Sequence, residues 1–166
     1  MEDTFVAILR WFHLTATVLW IGLAVNTALV FQPLFRDKVS SENKGAYLEA
    51  MLSKIRPLTW IAVITFAITG FTIMVLSNNF EGFSNYFANS WTEIITFKHV
   101  VVFGMVFLAV YQLNGILPKL IQALKTSSPE VATFAKQNQT MTLWLAVLGI
   151  LVLLLTAIAE TAGTAS

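Results

Sequence analysis

The chain has no cysteine among its 166 residues, which excludes disulfides, thiolate metal sites, iron–sulfur clusters and covalent c-type haem attachment. Charge is nearly as scarce: ten Lys and Arg against nine Asp and Glu make up 11% of the chain and leave a net charge of +1. That balance offers no basic surface to a nucleic acid and none of the charged exterior a soluble protein needs. Proline occurs four times and histidine twice. No glycine-rich phosphate loop, low-complexity tract or sequence repeat is found. The opening Met1-Glu2-Asp3 lacks the basic flank of a signal peptide and the apolar run after it is too long for one, so the first hydrophobic segment is expected to be retained.

What the chain has in excess is apolar surface, with 57% hydrophobic residues and a mean hydropathy of +0.74. A 166-residue core cannot hide that much, so the expected class is all-α, a single integral membrane domain over residues 1–166. Four transmembrane helices are expected at about 4–35, 57–77, 93–117 and 139–161. After the first, Ser40-Ser41-Glu42 reads as a capping signal, and Leu48, Met51, Leu52 and Ile55 recur at helical spacing. This predicts a short amphipathic helix on the cytoplasmic membrane surface, ending where Pro57 opens helix 2. A bend is expected at Pro118, and Ser128-Pro129-Glu130 restarts a helix leading into helix 4. Residues 78–91 hold Phe80, Phe83, Tyr86 and Phe87 among small polar residues, the composition of a loop resting on a membrane interface.

Arg36, Lys38, Lys44, Lys54 and Arg56 fall between helices 1 and 2, and Lys119, Lys125 and Lys136 between helices 3 and 4, whereas residues 78–93 contain no Lys or Arg. The positive-inside rule then places both basic linkers in the cytoplasm of a prokaryotic cell with an inner membrane, and both termini and the aromatic loop outside. The two basic residues that do not follow this pattern, Arg10 and Lys98, are the two beside histidines.

From Phe5 to Phe35 the only ionisable side chains are Arg10 and His13. An ionisable residue inside a membrane span points to function. His13 precedes Arg36 by 23 residues and His99 precedes Lys119 by 20, so the two histidines are expected at one depth in the outer half of the bilayer, on helices running the same way. Two imidazoles facing across a four-helix bundle suit the axial positions of one haem b. Gly70 with Thr69, and Thr156 with Ala157, put small residues at that level to make room. Arg10 shares the face of His13 one turn nearer the outside and is expected to meet a haem propionate, with Lys98, about 100° round the helix from His99, a weaker partner. Trp20, one heptad below His13, is the tryptophan expected to touch the cofactor; Trp11, Trp60, Trp91 and Trp144 read as interface anchors. Asn26, Gln112 and Asn114 are expected to bond one another across helices. The bland alternative is that each histidine is only an interhelical hydrogen bonder.

The segments Trp11-Phe12-His13-Leu14, Leu19-Trp20-Ile21-Gly22, Phe31-Gln32-Pro33 and Phe97-Lys98-His99-Val100 resemble the superfamily of copper-resistance D membrane proteins and its relative, the HemJ-type protoporphyrinogen oxidase. The resemblance runs through nearly the whole chain in helix order and loop length. In the oxidase relatives a histidine of helix 1 and a lysine of helix 3 matter, and these match His13 and Lys98. The relatives carry an Arg-rich, His-containing exit from helix 1 where this chain has Asn26-Thr27-Ala28-Leu29, and His99 directly after Lys98 is not their pattern. These departures weigh against oxidase activity more than against haem binding. The expected function is a membrane b-type cytochrome transferring electrons through one haem b, with an unknown redox partner on the outer face and a homo-oligomer or a larger complex as its setting. An oxidase-like enzyme of haem biosynthesis is the runner-up. A copper carrier or structural subunit is the third reading, and the five methionines, which do not cluster with the histidines, weigh against copper.

Overall fold

The computed structural model describes residues 2–38, 43–87 and 89–164, almost all of them helical and none in a strand. Helix α1 spans Glu2–Asn26 and continues through a π-helical turn, Thr27–Phe31, into α2, Gln32–Lys38. Helix α3 is Lys44–Val75; α4, Ser90–Tyr111, passes through a second π-helical turn, Gln112–Ile116, into α5, Leu117–Lys125; α6 is Val131–Thr164. Four stretches are long and apolar enough to cross a membrane: Thr4–Arg36, Lys44–Val75, Ser90–Lys125 and Val131–Gly163. Their outward side chains confirm the setting. Phe103 and Phe107 are each 72% exposed, with Val18, Ile68 and Ile150 also turned outward, an arrangement that water would penalise and lipid does not. The protein is an integral membrane four-helix bundle.

Helix α1 packs on α3 and α6, α4 packs on α6, and α3 meets α5, whereas α1 and α4 share no broad backbone contact. The central core between them is Trp20, Ile21, Phe66, Met105 and Val152 with the small residues Ala16, Ala62 and Ala109. At the aromatic-loop end, Phe80, Phe83, Tyr86 and Phe87 meet one another, mostly edge to face, and Phe80 and Tyr86 pack on Met74, Ile95 and Ala159. The loop turns at Gly82, whose φ of +86° suits a residue without Cβ. Asn89, extended at φ −143°, caps α4 by accepting a bond from the Thr92 N–H at 2.9 Å.

At the basic end the structure departs from the sequence reading. The expected surface helix is the first turns of α3, which runs unbroken through Pro57. Its apolar face, Leu48 and Leu52, does not lie on lipid but packs against Leu113, Leu117, Leu120 and Ile121 in a second core. That burial offsets the roughly 3 kcal/mol an interior proline costs. The capping signal at Ser40-Ser41-Glu42 lies outside the described residues. Pro118 likewise stands inside a continuous helical path, where the preceding π-helical turn absorbs the mismatch. That turn also changes the polar pairing: the Gln112 amide nitrogen donates to Asn138 Oδ1 and Thr142 Oγ1 on α6, Asn114 donates to Val110 O of its own helix, and Asn26 is exposed. The expected Asn26–Gln112–Asn114 network is therefore not formed, because Gln112 finds its partners on α6, Asn114 bonds its own helix and Asn26 faces outward.

The two π-helical turns are equivalent. In the first the Gln32 N–H bonds to Thr27 O, in the second the Leu117 N–H bonds to Gln112 O, and in each the next residue is a proline, Pro33 or Pro118. A proline has no N–H, so the carbonyl next in line loses its donor. In the second turn that carbonyl is Leu113 O, and the Arg56 guanidinium of α3 donates to it from Nη2 at 2.6 Å. The two halves thus share an architecture that residue identity does not show. Thr27 to Gln112 and Pro33 to Pro118 are 85 residues apart, His13 to His99 is 86, and Lys44 to Val131 is 87.

Candidate functional site

His13 sits half-buried in the third turn of α1 and faces α3. Its ring lies nearly parallel to Phe66, centroids 4.7 Å apart. Nδ1 is 3.2 Å from Phe66 O and 3.1 Å from Thr69 Oγ1. A carbonyl oxygen can only accept, so Nδ1 carries the proton and donates. Thr69 in turn donates to Thr65 O at 2.6 Å, which fixes its oxygen in place. Below the ring, Thr17 donates to His13 O at 2.7 Å.

His99, half-buried on α4, makes the same choice: Nδ1 donates to Ile95 O one turn back at 2.7 Å. Both imidazoles therefore hold their proton on Nδ1 and keep the Nε2 lone pair free, the tautomer a metal-ligating histidine needs. His13 lies 14 residues before its π-helical turn and His99 13 before the other.

The remaining expected residues divide. Gly70 does make room, but for the imidazole itself: a Cβ there would stand 2.7 Å from His13 Cε1. Trp20 is buried at 6% exposure and meets Phe66 edge-on at 6.2 Å, so Phe66 lies between it and His13. Arg10 is exposed, whereas Lys98 is half-buried and within electrostatic reach of Glu160 on α6 as well as of His13. The sequence reading puts Arg10 ahead of Lys98 as a propionate partner; in the structure Arg10 is exposed and Lys98 half-buried. Thr156 donates to Val152 O at 2.8 Å, as Thr69 does to its own helix. Phe66 is the residue sequence reasoning missed; an aromatic three positions before Thr69 on an apolar helix carries no signal until α1 is docked. Among the described residues no group of three or more His, Asp or Glu side chains could hold a metal ion, so a bare cation would find few protein ligands of those types here.

Exchanging Gly70 for alanine should force the His13 ring out of its place. Overpacking of this kind costs about 1–3 kcal/mol. Thermal unfolding of Gly70→Ala in detergent should show a clearly lowered midpoint, and a midpoint equal to wild type would mean that the ring has room to move.

Comparison of the chain with family models, with curated proteins and with solved structures finds no match.

Proposed function

We propose that this protein is a membrane b-type cytochrome that carries one haem b between α1 and α4 and moves electrons. One observation carries the reading: the only two histidines of the chain stand at equivalent positions of its two halves, each with Nδ1–H given to a main-chain carbonyl and Nε2 left free. That donor set fits an iron with two axial imidazoles. His13 and His99 would hold the group, Lys98 and Arg10 would face its propionates, and Trp20 and Phe66 would back the His13 ring. When bound, the haem supplies a one-electron ferric–ferrous couple. The protein's part is to fix both imidazoles, exclude water and set the local charge. A visible spectrum of the purified protein tests this. A reduced α-band that carbon monoxide leaves unchanged is expected, because both axial positions are filled; no haem after expression with added haem would sink the proposal.

The same reading places the basic linkers in the cytoplasm and the aromatic loop, both termini and the histidine level toward the outer face of a prokaryotic inner membrane, where a redox partner, a second copy or a larger complex would dock. A cysteine at Asn85, in a chain with none of its own, should react with a membrane-impermeant thiol reagent in intact cells, and one at Lys44 should not. The reverse pattern would move the site to the cytoplasmic leaflet.

A second reading has its own support. His13 and Lys98, the pair matched by the resemblance to the HemJ-type oxidase within the copper-resistance D superfamily, are both half-buried ionisable residues within membrane-spanning helices. In an oxidase they would engage the carboxylates and ring of a porphyrin substrate. Rescue of haem synthesis in cells lacking their own oxidase, abolished by Lys98→Gln, would favour that enzyme over the carrier.

A further inference from the structure

Toward the basic end, below Trp20, the bundle holds a half-open cavity of about 270 Å³ lined by all four long helices, near the lower limit of the ~300–1,000 Å³ of small-molecule sites. Its inner end is apolar, closed by Trp20, Ala24 and Ala109; Arg36 and Lys44 stand at the other end. Midway lies a belt of uncharged polar groups. Gln32 and Gln112 both donate to Thr142 Oγ1, at 2.9 and 2.7 Å. Thr59 faces them from α3 at 5% exposure. Thr17, Thr69, Thr72, Thr96, Thr142 and Thr156 all return their hydroxyl to a carbonyl four residues back in their own helix, but the Thr59 hydroxyl makes no hydrogen bond among the described residues. The Asn138 amide nitrogen, also on the lining, makes none either. The Thr59 hydroxyl and the Asn138 amide nitrogen are thus both left open on the cavity lining as donors, which points to an occupant with an acceptor oxygen.

We propose that this cavity binds the ring of a lipid-soluble quinone. The belt holds donors but no charge, which suits carbonyl or hydroxyl oxygens and disfavours a phosphate or carboxylate at that depth. The volume takes a substituted ring and not a whole phospholipid. The cavity ends on Trp20, which touches Phe66, which stacks on His13, so aromatic rings run in contact from the occupant to the histidine. The choice of a quinone among neutral ring compounds rests on the redox reading of the histidines; the cavity and its belt do not.

The test uses the full chain in detergent micelles, a decyl-substituted benzoquinone as probe and tryptophan fluorescence as readout. Saturable quenching is expected, most of it lost in Trp20→Phe. Thr59→Val keeps the shape and removes the hydroxyl, so it should fold normally and weaken binding roughly 3- to 10-fold. Ala24→Phe fills the inner end and should abolish saturation. Quenching that does not saturate, binding by Ala24→Phe equal to wild type, or displacement of the probe by an anionic phospholipid at lower concentration than by unlabelled quinone would each overturn the proposal. The haem spectrum recorded on the same samples keeps the two readings apart: quinone binding without haem defeats the cytochrome alone, and haem without quinone binding defeats this cavity assignment alone.

Discussion

His13→Ala and His99→Ala should each remove the low-spin two-imidazole spectrum of the purified protein while leaving its insertion in the membrane intact. The expectation follows from the histidine geometry: each ring spends its one proton on a carbonyl and keeps an unprotonated Nε2. Losing one axial ligand leaves a five-coordinate iron, which is high-spin and open to carbon monoxide. Absorbance spectroscopy with and without carbon monoxide reads both changes. If the histidines are only interhelical hydrogen bonders, His13→Ala should loosen α1 from α3 and leave any haem spectrum as it was. His99→Ala is the cleaner variant, because its hydrogen bond stays within α4 and its loss separates no helices.

Arg56→Met should destabilise the basic end of the bundle. Its Nη2 satisfies the carbonyl that Pro118 leaves without a donor, a charge-assisted bond worth about 1.5–3 kcal/mol, and its removal also strands Leu113 O at about 1–3 kcal/mol more. Against this, Arg56 Nε is buried with no partner, and methionine relieves that penalty of similar size. The net expectation is a destabilisation of about 2 kcal/mol, measured by thermal or denaturant unfolding in detergent. A double-mutant cycle isolates the cause: Pro118→Ala restores a backbone N–H, so Arg56→Met should cost much less in that background. Equal costs in the two backgrounds would mean that the guanidinium acts through its other surroundings, such as the Glu49–Lys125 ion pair of α3 and α5.

The sequence made the membrane class and the four spans legible, because both rest on long apolar runs. It misled at Pro57, where proline argued for a boundary. There the decisive term was tertiary, the docking of Leu48 and Leu52 on α5. Within the site, spacing identified His13, His99 and Trp20. It could not show that Gly70 receives the imidazole, that Phe66 stacks on it, or that Lys98 turns inward while Arg10 does not. Those outcomes depend on which faces α3 and α6 present to α1 and α4, and helices that are apolar all round carry no stripe from which to read a facing side.

The paired π-helical turns have a consequence for descent. A π-helical turn is a helix with one residue inserted, and such insertions persist where they are inherited. Here the same insertion stands ahead of a proline in both halves, after helices that each carry one histidine at nearly the same distance. That is the pattern a duplicated helical hairpin leaves once its side chains have diverged. On that origin a single ancestral hairpin would have carried one imidazole, and joining two such hairpins would have put both into one polypeptide.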